Sequence, residues 1–414
     1  MSKAADKAHL TPLHKGYAKA LACVLPVSET ETVPLFDAAD RVLARDLICL
    51  RPLPPFRNSS MDGYGVRVSD AGKTLPIGQT FLAGDDASGY TLPEGSACKI
   101  MTGAMVPAGV EAVVPFEDAQ ANANRVTLPE RIKPGQHIRP AGEEVDAGEM
   151  LLKAGEMLTP AALALLASQG FGEVTVLRRI KAAVLATGSE IVEPWQTAKN
   201  HQIHNSNATA IAAILKTLGA EVAYLGALPD RPEALREAVA GFAKYDLIVT
   251  SGGVSTGEAD FTDRILREAG LTVAVQSMAL KPGKNLMIGR IQNTVAISLP
   301  GNPQAAMTLM TLIGGSIAAK LQGRKRFHPA TALARVAKSV RFKPDRANVV
   351  LGTLQSGEFT AVDDYRYGTG MLTPLAKADV FAVAPEGNDE LKKGEIIRVV
   401  LPLNFCADED FYAP

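Results

Sequence analysis

Residues 181–190, KAAVLATGSE, and 246–260, DLIVTSGGVSTGEAD, each begin as a short apolar run and break into small-residue turn chemistry. Runs of this length bounded by turn signals read as strands buried on both faces. The intervening chain has the opposite period. Asn207 can cap a helix whose Ile211, Ile214, Leu215 and Leu218 recur at i, i+3, i+4 and i+7, ending at Gly219. EVAYLGAL (221–228) is the next strand, and Asp230 with Glu233 forms a candidate capping pair for a helix carrying Leu235, Val239 and Phe242. A helix through Ile265 and Leu266 to Gly270, the runs LTVAV (271–275), NLMIG (285–289) and TVAISL (294–299), and a long helix after Pro303 complete the segment. Strands alternating with helices over about 180–322 predict a parallel sheet covered by helices on both faces.

Outside this segment the pattern changes. Toward the amino terminus, Thr11 and Pro12 open a helix with Leu13, Tyr17, Leu21 and Val24 on one face. RPLPPFRNSSMDGYG (51–65) is loop chemistry, and residues 51–141 mix glycine, proline and short Val/Ile runs, which predicts an inserted, mostly β domain. Thr159 and Pro160 start a second helix that Gly170 ends, and short strands and turns dominate from His328 onward.

The chain has 414 residues, of which 47% are hydrophobic and 21% charged, so several packed domains are affordable and a disordered or fibrous chain is excluded. Lys+Arg total 43 and Asp+Glu 44, a formal net charge of -1. A general nucleic-acid or anionic-membrane binder would show a basic excess, so neither partner is expected. Cys23, Cys49, Cys98 and Cys406 form no CxxC pair, MSKAADKAHLTPLHK lacks a secretory apolar run, and the apolar stretch Ala305–Ala319 is too short to span a membrane. The expectation is a soluble, cytoplasmic protein.

In an open α/β sheet, ligands bind beyond the carboxyl ends of the strands. The loops at those ends are Thr187–Glu190, Pro229–Asp230, Ser251–Gly253 and Pro300–Pro303. Glu190, Asp230 and Asp260 bring three carboxylates there, the oxygen donors that Mg²⁺ prefers; helix-start preference accounts better for each acid taken singly, but the three together beside a Gly-Gly turn favour a metal site. Ser251-Gly252-Gly253 would let backbone amides approach an anion. Lys281-Pro-Gly-Lys284 sets two ammonium groups around one turn, able to counter an oxyanion. Neither GxxxxGK[ST] nor GxGxxG is present. Gly253–Gly257 matches the G-x-S-x-G elbow, with Ser255 as nucleophile and His328 as the sole downstream histidine, but Ser255 lies five residues past the strand end. Trp195 and the His201/His204 pair read as a solvated loop.

SSMDGYG (59–65), KIMTGAMVP (99–107), HIRPAGEEV (137–145), ATGSEI (186–191), IHNSN (203–207), SGGVSTGEADF (251–261), KPGK (281–284) and LPGNP (299–303) together, in this order, resemble the molybdopterin molybdenumtransferase family, the MoeA and gephyrin E-domain type. The resemblance implies a multidomain α/β plus β fold. Its parts are an elongated first domain from 1–50 and 142–178, an inserted β domain at 51–141, a molybdopterin-binding α/β domain at 179–326 and a carboxy-terminal β barrel at 327–414. It implies a homodimer with the active site across the interface, possible contact with molybdopterin adenylyltransferase and molybdoenzyme-targeting proteins, and Mg²⁺-dependent cleavage of adenylylated molybdopterin with molybdate insertion, releasing AMP.

On that resemblance Glu190, Asp230 and Asp260 hold the metal and phosphates, and Asp62 and Thr102 form a catalytic pair from the inserted domain. Ser251, Gly252, Gly253, Asn207, Pro300, Asn302 and Pro303 bind the substrate, while Lys281, Lys284, Arg346 and Thr373 line the molybdate pocket. The sequence departs from the family pattern at Ser277, where a lysine is common, at Asn285 after KPGK, and at Ala305, where a serine is usual. These departures weaken the anion side and leave a non-catalytic molybdopterin carrier as an alternative, with a serine hydrolase using Ser255 as a remote one.

Overall fold

The structure, a computed structural model, describes residues 10–253 and 262–412. The chain divides into two compact units. One comprises Asp46–Ala154 and Ala164–Phe171, the other the remainder.

The larger unit is organised by a six-stranded sheet. Its elements in chain order are β1 (Lys181–Thr187), α1 (Ser206–Thr217), β2 (Glu221–Leu228), α2 (Pro232–Ala240), β3 (Leu247–Ser251), α3 (Thr262–Glu268), β4 (Thr272–Gln276), β5 (Met287–Ile291), β6 (Thr294–Leu299), α4 (Pro303–Leu309) and α5 (Gly315–Leu321). The strand order is β2-β1-β3-β6-β5-β4. The first four strands run parallel, but β5 is antiparallel to β6 and β4 antiparallel to β5. The sheet is therefore parallel-rich, as the alternation predicted, with one reversed strand. The connection from β5 to β6 is a hairpin over Gln292 and Asn293, too short for a crossover helix.

Side-chain alternation along β1 explains the two covered faces. Ala182, Val184 and Ala186 pack with Ile211 and Leu215 of α1 and Ile317 of α5, whereas Ala183 and Leu185 pack with Leu235, Phe242, Ile265 and Leu266. The apolar run after Pro303 is buried apart from the half-buried Met307, as expected, but α4 and α5 are joined by a π-helical turn at Met310–Gly314. Three capping assignments change. Asn205, not Asn207, caps α1, its side chain accepting from the Ala208 amide at 3.1 Å. At α2 the N-cap is Arg231 with no side-chain bond, because Pro232 takes the first helical position and Asp230 is spent elsewhere. The amino-terminal helix spans Leu13–Ala22 and is preceded by Pro12 rather than capped by Thr11.

At the end of the sheet opposite the parallel strands' carboxyl termini, Arg178 donates two bonds to Asp246 at 2.7 and 2.9 Å, and the Lys181 amide adds a third at 2.7 Å. Burial pushes this carboxyl up, but the guanidinium and amide hold it below the usual range. In the same unit, strands His328–Val336, Ala347–Gln355, Glu358–Ala361, Val380–Ala384 and Ile396–Ala407 form a curled sheet whose pairings return from the last strands to Ala347–Gln355. The short strand Leu280–Lys281 joins its edge, Lys281 opposite Asn348.

The smaller unit holds its own six-stranded sheet, in order Ala112–Pro115, Gly63–Val66, Ala97–Ile100, Thr74–Phe81, Arg125–Thr127 and Gln120–Ala121. Tyr64, Val66, Leu75, Val114 and Val126 form one core, and Phe81, Cys98, Ile100 and Val113 another. Gly63 must be glycine, since a Cβ there would lie 2.2 Å from the Val114 carbonyl oxygen. No helix among the described residues is long and apolar enough to cross a membrane.

Candidate active site

The order β2-β1-β3 makes the chain leave β1 toward one side of the sheet and return on the other, so a crevice opens between the carboxyl ends of β1 and β3. A cleft of about 630 Å³ lies there. Glu190, Asp230, Ser251, Gly252, Gly253, Asn207, Pro300, Asn302 and Pro303 all line it. The strand-end loops singled out from sequence are thus brought together by β1, β2, β3 and β6 ending at one edge.

The backbone approach is close. Gly252 (φ +97°) and Gly253 (φ +66°) turn sharply after β3, and a Cβ on Gly252 would lie 2.3 Å from the Thr187 carbonyl oxygen. The Gly252 N–H, expected to face a ligand, instead donates to Leu299 O at 3.0 Å, so this residue contributes close approach rather than a donor. Asp230 Oδ2 accepts from the Ser189 amide at 2.9 Å, and Ser189 Oγ accepts from the Asp230 amide at 3.2 Å, stitching the β1 and β2 loops together. The Asn207 amide nitrogen donates to Ser251 Oγ at 2.8 Å and to Gly301 O at 2.9 Å, linking α1 to both the β3 and β6 loops. Asn207 Oδ1 and Thr187 Oγ1 are buried without a hydrogen-bond partner among the described residues. Orphaned polar atoms of this kind are costly unless a ligand or water meets them.

The cationic residues expected from sequence, Lys281, Lys284 and Arg346, lie outside the cleft lining, as does Thr373. Lys281 is nevertheless brought near Arg346, because the pairing of Leu280–Lys281 with Ala347–Asn348 sets it opposite Asn348, two positions along the strand from the arginine. Fully buried Asn348 fixes the local turn, its Nδ2 donating at 2.8 Å to both Lys343 O and Arg346 O. Asp363, Asp364 and Tyr365 have consecutive left-handed φ of 47°, 53° and 62°, a strained backbone secured by Lys377–Asp363 and Lys338–Asp364 ion pairs. Thr373 opens a short helix, Thr373–Lys377, three residues after Gly370, which does line the cleft. Asn285 reaches the cleft too, whereas Ala305 is buried inside α4.

In the smaller unit Asp62 and Thr102 meet directly. Asp62 Oδ1 accepts from both the Thr102 amide and its hydroxyl at 2.7 Å each. These bonds hold the exposed carboxyl below its usual range. Because the folded-state pKa is the lower one, the pair favours the fold at neutral pH, and that contribution fades as pH falls through the lowered pKa. Thr102→Val keeps the amide donor and removes the hydroxyl, so the Asp62 titration followed by carbon NMR should move up toward the ordinary range. An unmoved curve would mean that the amide alone sets it.

Asp260 and Ser255 lie outside the described residues. Among the described residues no cluster of three or more His, Cys, Asp or Glu could hold a metal, so Glu190 and Asp230 are not joined there by a third protein ligand. His328, the hydrolase reading's base, has Nδ1 2.9 Å from Tyr17 Oη and so pairs with the amino-terminal helix. His204 was expected in a solvated loop, but lines the cleft with Ile203, Asn205 and Ser206. A short parallel pair, Ile191↔Ile203 and Val192↔His204, brings them in, and a pairing of two residues leaves no periodic trace in sequence. Thr187 carried a signal, as the hydroxyl at the strand end before the expected turn.

Fold and cleft define a multidomain α/β-plus-β protein with a ligand crevice at a topological switch point. Three family models match it: "MoeA N-terminal region (domain I and II)" over residues 11–170, "Probable molybdopterin binding domain" over 183–319 and "MoeA C-terminal region (domain IV)" over 333–401. The chain is 35% identical to the molybdopterin molybdenumtransferase of Haemophilus influenzae, over 90% of this chain and 94% of that protein. It is 33% identical to that of Nostoc sp., over 91% and 89%. A crystal structure of a molybdopterin biosynthesis MoeA protein from Pyrococcus horikoshii superposes with a TM-score of 0.79 at 30% identity, covering 95% of this chain and 99% of that one. The chain belongs to the molybdopterin molybdenumtransferase (MoeA) family.

Proposed function

We propose that this enzyme of molybdenum cofactor biosynthesis cleaves adenylylated molybdopterin and inserts molybdate into its dithiolene, releasing AMP, with the β1/β3 cleft holding the phosphates. The observation that carries this reading is a pair of buried polar atoms without a partner among the described residues, Thr187 Oγ1 and Asn207 Oδ1, on two residues that line a cleft whose rim bears Glu190 and Asp230. Thr187 and Asn207 would bind and orient polar groups of the substrate, and the Gly252–Gly253 turn would let it approach the backbone. Pro300 and Pro303 would wall the pterin side.

Two carboxylates are hard oxygen donors and fit Mg²⁺, which usually completes its shell with water and phosphate oxygens rather than a protein cage. Glu190 and Asp230 would hold it, with Asp260 as the family resemblance implies. When bound, the ion would supply charge neutralisation on the pyrophosphate. Lys281, Lys284, Arg346 and Thr373 would receive molybdate, since an oxyanion leaving water needs several charged donors. We further propose a cytoplasmic homodimer of four-domain subunits, at the boundaries expected from sequence, in which Asp62 and Thr102 of one subunit complete the cleft of the other. The pre-assembled, exposed Asp62–Thr102 pair supports this.

The test is to supply the purified protein with adenylylated molybdopterin, Mg²⁺ and molybdate and to measure AMP. Molybdate-dependent AMP release is expected; substrate bound without AMP release would remove the catalytic reading.

A further inference from the structure

A chain of directed hydrogen bonds runs from β2 to the cleft. Glu193 Oε1 accepts from the Tyr224 hydroxyl at 2.6 Å and from the Ala227 amide at 3.0 Å. The Tyr224 oxygen in turn accepts from Asn205 Nδ2 at 2.7 Å, and Asn205 Oδ1 accepts from the Ala208 amide, capping α1. Asn205 is 3% exposed, its own amide donates to Val192 O at 2.8 Å, and its carbonyl accepts from Thr209 Oγ1 at 3.1 Å.

The polarity of this chain is forced. A carboxylate only accepts, so Tyr224 must give its single proton to Glu193 and offers Asn205 nothing but lone pairs. Asn205 therefore has to turn its NH₂ toward Tyr224 and its carbonyl oxygen toward Ala208. With the amide reversed, a donor would face the Ala208 N–H and the cap would be lost. Asn205, Ser206 and Asn207 all line the cleft, and Asn207 ties α1 to Ser251 and Gly301. Anything that fixes the first turn of α1 thus fixes three cleft residues.

We infer that Tyr224 is a positioning residue: together with Glu193 it sets the amide orientation of Asn205 and so pre-organises the α1 end of the cleft for the phosphate-bearing ligand. The inference rests on the phosphate assignment proposed above, but its local arm does not. Tyr224 touches no substrate in this scheme; it acts through Asn205.

The experiment uses the full chain and two readouts: hydrogen exchange of the 206–210 amides without ligand, and the Kd for AMP with Mg²⁺ by calorimetry. Tyr224→Phe should speed exchange in that segment and weaken AMP by about fivefold, with the thermal midpoint nearly unchanged. Glu193→Gln, which keeps an accepting oxygen, should behave as the unaltered protein, and Glu193→Leu as Tyr224→Phe. Asn205→Ser caps with a hydroxyl that needs no orienting, so in that background Tyr224→Phe should change neither readout. Unaltered exchange and affinity in Tyr224→Phe, or an undiminished effect in the Asn205→Ser background, would overturn the relay. If the unaltered protein binds no AMP, the phosphate assignment falls, and the exchange arm still decides the relay.

Discussion

Asp230→Asn should lower molybdate-dependent AMP release by about 10²- to 10³-fold while leaving the thermal midpoint close to that of the unaltered protein. The geometry separates two jobs of one side chain. Oδ2 accepts from the Ser189 amide and stitches the β1 and β2 loops, and an asparagine carbonyl oxygen can take over that bond. The NH₂ then replaces the second carboxylate oxygen at the cleft rim, exchanging an anionic acceptor for a neutral donor where a cation and phosphates are proposed to sit. Asp230→Ala would confound the two, since it also breaks the stitch. A readout besides turnover is Mn²⁺ binding by electron paramagnetic resonance in the presence of AMP, which Asp230→Asn should weaken. Full turnover in Asp230→Asn would remove this carboxylate from the metal assignment and leave it a loop fastener.

What could be read in the sequence follows from which signals are local. The runs KAAVLA, EVAYLGAL, DLIVT and TVAISL are strands because each is short, apolar and closed by a turn, and their carboxyl-end loops share one edge because these four strands run parallel. The strand pattern alone therefore places Glu190, Asp230 and Ser251–Gly253 at one cleft. Met287–Ile291, the one strand of the six that runs against the others, has the same composition as its neighbours, so only the hairpin length between Ile291 and Thr294 distinguishes it. Caps failed for a related reason. Asn205, Ser206 and Asn207 are all good N-cap residues, and the choice fell to the one whose other end meets Tyr224 on a neighbouring strand. Lys281 and Arg346 lie far apart in sequence, and only the parallel pairing of Leu280–Lys281 with Ala347–Asn348 joins them. Contacts set by register or by tertiary partners leave no mark in local composition.

The glycine turn supplies the second large effect. Gly252→Ala should cost about 3 kcal/mol of stability and reduce AMP affinity by more than about a hundredfold. Two penalties combine. At φ +97° an alanine is strained wherever it stands. Its Cβ would also lie 2.3 Å from the Thr187 carbonyl oxygen and 2.9 Å from Thr187 Oγ1. The first of those atoms is backbone at the end of β1, where Gly188 is tied to Leu228 O, so it cannot swing aside as a flexible side chain would. The turn must move instead, and with it the Gly252 bond to Leu299 O. Gly270→Ala provides the control: its φ is +91°, but nothing lies within 4 Å of the added carbon, so it carries the dihedral penalty alone, about 1 kcal/mol. Denaturant midpoints for the two variants, read beside AMP titrations, isolate the contact at the switch point. Equal losses in both would mean that the β1/β3 crevice tolerates a side chain and that close backbone approach is not what the Gly252–Gly253 pair provides.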